Sequence, residues 1–214
     1  MNKVVLEKTS TATKTKKGNT RDRIIREELY RELSMRLYAQ KDNPGQQSAR
    51  IFSEFGINHG TIRADIATVA SSLHGYEIKS DKDTLNRLPN QARAYNQVFD
   101  EVTLVVGECH IIKALAIIPD WWGVELAKES NNGEVTITTI RYSEPNPQQE
   151  PIAIARLLWK NEAVEILHSI GKSRGAYAQN REHIYRKLAS ELNPEDLKKR
   201  VRERILSRLD WRVD

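Results

Sequence analysis

The chain has 214 residues, 39% of them hydrophobic and 29% charged, a balance that excludes a disordered polymer. That length suits one generous domain or a ~130-residue core with helical extensions. One cysteine, Cys109, excludes an internal disulfide and every Cys-rich zinc or iron–sulfur framework, so a reducing cytoplasm is the expected compartment.

Charge is segregated along the chain. Residues 1–50 carry 12 Lys/Arg against 6 Asp/Glu, 51–170 carry 10 against 16, and 171–214 carry 12 against 7, so an acidic middle lies between basic ends. Basic ends suit a phosphate backbone, and an acidic centre suits a divalent metal that bridges to phosphate; solvated helix faces would give the same pattern. The apolar runs fall far short of the ~20 residues needed to cross a bilayer. After Val4-Val5-Leu6 the chain turns polar, so neither a membrane span nor an export signal is expected.

Residues 1–20 are rich in Thr and Lys and read as a flexible basic arm. Ile25, Leu29, Leu33 and Leu37 then fall on one face of a helix that ends before Asn43-Pro44-Gly45. Three strands follow, near 50–57, 62–69 and 75–80, separated by turn residues and expected to form an antiparallel meander. Leu85, Leu88, Ala92, Tyr95 and Phe99 step by three and four, predicting a helix that Pro89 starts or kinks. The continuous apolar run Val102–Val106 predicts a strand buried on both faces. The order to this point is αβββαβ.

Farther on, 111–118 reads as helical, 124–127 and 135–142 as strands, and the Pro-rich 144–151 as a linker. The remainder is helical. Its last helix has Asn193 as cap, Pro194 in the first turn and the stripe Leu197, Val201, Ile205, Leu209, with Arg200, Arg204 and Arg208 on the other side. The expected divisions are an arm at 1–20, a core at 21–144 and a helical basic extension at 145–214.

The chemistry concentrates at Asp65 and, eleven intervening residues later, at Glu77-Ile78-Lys79. Residues two apart on a strand share a face, so Glu77 and Lys79 project together while Tyr76 and Ile78 turn into packing. The hairpin brings Asp65 beside Glu77. Two close carboxylates repel, and a hard divalent cation relieves the repulsion while accepting phosphate oxygens. A lysine beside them can orient water and offset charge on a reacting phosphate.

Asp65-x11-Glu77-Ile78-Lys79 in an αβββαβ order resembles the PD-(D/E)XK nuclease superfamily over roughly residues 22–107, with Ala64 where Pro is frequent. The resemblance implies a three-layer restriction-endonuclease-like α/β core and an Mg²⁺- or Mn²⁺-dependent deoxyribonuclease. By it, Asp65, Glu77 and the Ile78 carbonyl are metal ligands and Lys79 is the catalytic lysine. Gln91-x3-Tyr95 is similar to the Q-x-x-x-Y signature of RecB-type members, whose side chains line the site. Gln91 and Tyr95 share a helix face, though Tyr95 also fits the apolar stripe. Glu54, eleven residues before Asp65, is the candidate for an additional acidic ligand or else a surface residue. Arg63 is a candidate to steady a carboxylate or bind phosphate. The stretch 74–81, Arg87-Leu88-Pro89 and Pro119-Asp120-Trp121-Trp122-Gly123 are also similar to a largely uncharacterised bacterial and phage family of that superfamily.

The five histidines show no ligand spacing, and Trp121-Trp122 reads first as a rigid turn anchoring the next strand. The expected partner is DNA, with branched and single-stranded forms among the candidates, held by the basic ends. The C-terminal helices are the surface expected to meet a second copy or a protein partner. The alternative function is a catalytically inactive module that keeps the nuclease fold and binds nucleic acid or takes part in assembly.

Overall fold

A computed structural model describes residues 20–40 and 49–208. The basic arm at 1–19 and Leu209 of the final stripe lie outside the described residues. Helix α1 (Asp22–Gln40) is followed by β1 (Arg50–Ile57), β2 (Ile62–Val69) and β3 (Leu73–Lys79), the expected meander. Then come α2 (Leu88–Asn96), β4 (Glu101–Gly107), α3 (Ile111–Leu115), β5 (Gly123–Glu129) and β6 (Val135–Arg141). Four helices complete the chain: α4 (Pro151–Ala155), α5 (Lys160–Ser169), α6 (Arg181–Glu191) and α7 (Pro194–Ser207).

The strands form one six-stranded sheet in sequence order. β1–β2, β2–β3 and β5–β6 are antiparallel, whereas β3–β4 and β4–β5 are parallel. Parallel neighbours need a crossover, and α2 and α3 supply the two required. The central strand β4 is buried along Val102–Gly107, as its unbroken apolar run predicts.

Two apolar cores sandwich the sheet. Ile25, Leu29 and Leu33 of α1 cover Ile66, Tyr76, Ile78 and Val105 on one face. On the other, α2 and the C-terminal helices share one continuous core with Phe55, Leu104 and Val124 of the sheet. The C-terminal helices are therefore packed into the body of the fold. The Pro-rich stretch before them is pinned to it: Asn146 Nδ2 donates to the Asn96 and Phe99 carbonyls at 2.8 and 2.7 Å, and Gln149 Nε2 donates to the Val98 carbonyl at 2.9 Å. No helix among the described residues is long and apolar enough to cross a membrane.

Helix α2 is shorter than its periodicity predicts. Pro89 lies in its first turn, where a missing N–H costs nothing, so Leu85 falls in the preceding turn and Phe99 beyond the end. The last helix starts as expected: the Asn193 side chain accepts from the Asp196 amide at 2.9 Å. Its arginines face otherwise than predicted. Arg208 is buried and pairs with Glu162, Arg204 reaches Glu165 at 2.7 Å, and Arg200 donates to Ser169 Oγ at 3.2 Å. The basic side of α7 is thus committed to α5, because burying Leu197, Val201 and Ile205 leaves its flank against that helix.

Candidate functional site

Strand register places three carboxylates side by side. The pairs Ser53–Ile66 and Phe55–Ala64 leave Glu54 opposite Asp65, and the β2–β3 pairing, which runs from Val69–Leu73 to Ile66–Tyr76, leaves Asp65 opposite Glu77. Neither junction is closed by a ladder pair. Glu54 takes a left-handed backbone conformation (φ 53°), which costs an ordinary residue about 1 kcal/mol or more and opens β1 at this point. β3 parts from β2 after Tyr76 and continues beside β4, so the acids occupy a fork in the sheet.

The expected alternation on β3 is present. Tyr76 and Ile78 join the core under α1, and Glu77 and Lys79, 1% and 3% exposed, stand on the other face. Gly75 precedes them on that face because a Cβ there would lie 2.9 Å from the Phe99 ring.

Each carboxylate has a partner within the fold. Lys79 Nζ donates to Glu77 Oε1, and the Tyr95 hydroxyl, on α2, has two acceptors within reach of its single proton, Glu77 Oε2 and the Arg63 carbonyl at 2.9 Å. Burial and then the Asp65 charge push the Glu77 carboxyl up to about 7, against the pull of Lys79. Burial raises the Tyr95 phenol well above its ordinary range, Glu77 adding to it, so the hydroxyl remains a donor.

Asp65 Oδ2 accepts from the Ile78 amide at 2.7 Å, and Oδ1 accepts from Arg26 at 2.8 Å. Arg26, on α1, also donates to the Asp65 carbonyl at 2.8 Å and lies 3.2 Å from Glu54 and 3.4 Å from Asp22. One guanidinium therefore sits among three carboxylates. Among the described residues no three His, Cys, Asp or Glu side chains are arranged to hold a metal ion as they stand.

The structure thus brings Asp65, Glu77, Lys79, Tyr95 and Glu54 into one locality. Four further features define their surroundings. Lys79 pairs with Glu77, which the same strand face carries. The Ile78 amide donates to Asp65, while the expected metal-ligand atom is the carbonyl of the same residue. Arg63 is exposed and among the described residues has no carboxylate partner; Arg26 holds Asp65 instead. Gln91 makes no hydrogen bond to the other candidates, and its Oε1 is buried with no partner among the described residues. Trp122 anchors the following strand as expected, donating to Asn96 Oδ1 at 2.8 Å and stacking on Tyr95 with 5.8 Å between ring centres. Arg26 escaped the sequence reading, although its i, i+4 spacing from Asp22, on the flank of the α1 stripe, marked it as an interior cation.

Over 123 residues the chain is 28% identical to Protein cII of Enterobacteria phage P4; the match covers 58% of this chain and 46% of that protein, so the chain spans about half the relative's length. Among solved structures, a protein of unknown function from Silicibacter pomeroyi aligns over 69% of this chain and 91% of its own, at 15% identity and a TM-score of 0.37. The family model described as Bacteriophage P4 protein cII matches residues 12–212, nearly the whole chain, and the chain belongs to that family.

Proposed function

We propose that the chain is a cytoplasmic, divalent-metal-dependent nuclease acting on DNA, with a restriction-endonuclease-like core of the PD-(D/E)XK type. The observation that carries this is the row Glu54–Asp65–Glu77 across three adjacent strands, with Lys79 two residues along from Glu77 on the same face. The αβββαβ order and the parallel β3–β4 pair beside the fork also support it.

The donor set is all carboxylate oxygen, the chemistry hard cations prefer, and Glu77 is held against ionisation by burial and by Asp65, so added positive charge is favoured there. Asp65, Glu77 and Glu54 are the residues that would hold Mg²⁺ or Mn²⁺. Bound there, the ion would supply Lewis-acid stabilisation of a phosphate oxygen. Tyr95 fixes the Glu77 carboxylate, Arg26 fixes Asp65, and Lys79 presents the ammonium that offsets charge on the phosphate as it is attacked by water.

One observation favours a second reading, a non-catalytic nucleic-acid-binding module on the same fold. Arg26 and Lys79 already neutralise the acids, and Lys79 is 3% exposed. A cleavage assay with Mn²⁺ over plasmid, single-stranded, branched and RNA substrates separates the two. For the nuclease, Lys79→Ala lowers the cleavage rate by at least ~100-fold, the scale of one lost preorganised group, and leaves DNA affinity intact. Parental cleavage by Lys79→Ala would refute the lysine role; a parent that cuts nothing leaves the binding module.

A further inference from the structure

A cleft of ≈ 860 Å³ lies between the β1–β2 turn and the first turns of α5 and α6, and Glu54 is part of its wall. It therefore reaches Glu54, one of the acids that Arg26 clamps, whose register partner is Asp65. Arg63, Arg156, Lys160 and Arg181 line it, with His59 and Trp159 between them.

The cations are unequally committed. Arg156 is held by Glu182 at 2.5 Å, and Lys160 Nζ donates to the Tyr177 carbonyl at 3.1 Å. Arg63 and Arg181 are exposed, and among the described residues neither has an ion-pair partner. Both α5 and α6 begin at the cleft, with Lys160 and Arg181 as first residues, so the positive ends of two helix dipoles add to the field. His59 registers it: burial and then the charges of Arg181 and Arg156 lower its pKa. Glu54 is the one carboxylate in the lining. A cleft this basic selects a polyanion.

The aromatics narrow the choice. Trp159 is braced by the Arg208 guanidinium, 4.4 Å from its ring centre, yet is 40% exposed. His59 is exposed and packs against Tyr185, with 5.8 Å between ring centres. Its turn, Asn58-His59-Gly60, is left-handed at all three residues, which points the loop toward α6. Cations interleaved with available aromatic faces suit unpaired bases; the bases of a duplex are stacked on one another and offer no face.

We propose that this cleft binds a single-stranded stretch of nucleic acid, phosphates on Arg63, Lys160 and Arg181 and a base on Trp159, and leads it to the Glu54–Asp65–Glu77 row. What happens at that row rests on the nuclease reading; the binding does not.

The experiment is fluorescence anisotropy of the full chain with labelled oligothymidylate and with a hairpin duplex, in EDTA so that nothing is cut. The parent binds the single strand more tightly than the duplex. Removing two phosphate contacts in Arg63→Ala/Arg181→Ala lowers the slope of log K against log salt by about 1.4 and weakens binding roughly 25-fold at 0.1 M salt. Trp159→Leu, whose fold is checked by circular dichroism, weakens single-strand binding about 5- to 150-fold and leaves the duplex unaffected. An unchanged slope in the folded double variant, equal affinity for duplex, or no binding by the parent overturns the proposal. Cleavage is scored separately with Mn²⁺. A parent that binds through these residues but never cuts sinks only the nuclease reading, and a parent that cuts while the double variant binds normally sinks only the cleft.

Discussion

Arg26→Ala tests the candidate site at its least expected member. The guanidinium makes two 2.8 Å bonds to Asp65, approaches Glu54 at 3.2 Å and Asp22 at 3.4 Å, and is 24% exposed against 20% for Asp65. Breaking a fully buried pair costs about 3–5 kcal/mol, because the remaining charge is left without a partner. With about a quarter of the side chain in water, a loss of about 2–3 kcal/mol is expected, which for a chain of this size lowers Tm by about 4–12 °C. The variant leaves Asp22, Glu54 and Asp65 facing one another with no counterion. A divalent cation should then take the vacated place. At 10 mM Mn²⁺ and a Kd of about 0.1 mM, mass action restores about 2.7 kcal/mol, nearly the whole loss. Thermal unfolding followed by circular dichroism, with Mn²⁺ and with EDTA, reads both effects. Arg26→Ala/Asp65→Asn should show no rescue. A Tm drop below about 2 °C, or an equal Mn²⁺ gain with and without Asp65, would refute the account of Arg26 as counterion to a cation-seeking site.

Two further outcomes follow from buried groups. Burial, then the Arg36 charge, lowers the His74 pKa from 6.5 to about 3, so its contribution to stability is complete above pH 6.5 and is lost as pH falls toward 3; the unfolding free energy from urea titration should fall over that window by up to about 4 kcal/mol. His74→Gln should flatten the fall, and an unaltered pH profile would show that His74 is not its source. Gly107→Ala would set a Cβ 2.5 Å from Asp81 Oδ1 and 2.7 Å from its amide, in the turn that also holds Thr20 and the Cys109 amide. The shift required should cost about 1–3 kcal/mol by urea titration, and a change below ~0.5 kcal/mol would show that the turn yields freely.

Much of this arrangement was legible in the sequence because register is arithmetic. Once 62–69 and 73–79 form a hairpin with a tight turn, Asp65 must stand opposite Glu77, and the same counting across the β1–β2 turn sets Glu54 opposite Asp65. The face of Glu77 and Lys79 followed from period-two alternation, and the burial of β4 from its unbroken apolar run. Helix docking obeys no such rule. A stripe at Ile25, Leu29 and Leu33 says that α1 is buried but not which strand lies beneath its flank, so the meeting of Arg26 with Asp65 was invisible. The α7 arginines failed for the same reason: a cation beside an apolar stripe reads as a solvated face until the neighbouring helix is placed, and here α5 presents Glu162 and Glu165 to it.

The partners of the acids bear on what kind of site this is. A buried acid and a partly buried one held for stability alone are well served by fixed counterions, and replacing a buried ion pair by apolar residues commonly costs nothing. That account explains Lys79 against Glu77 and Arg26 against Asp65. It leaves Glu54 unexplained. A half-exposed glutamate gains little from a surface-type ion pair, commonly under 1 kcal/mol, yet its backbone is held left-handed at a comparable or greater cost. The same residue joins the clamped carboxylates to a cleft lined by cations and aromatic rings. A strained residue at the junction of an acidic row and a basic cleft fits a place where a phosphate and its counter-cation meet, and this is why substitutions at Glu54 should disturb ligand binding more than they disturb folding.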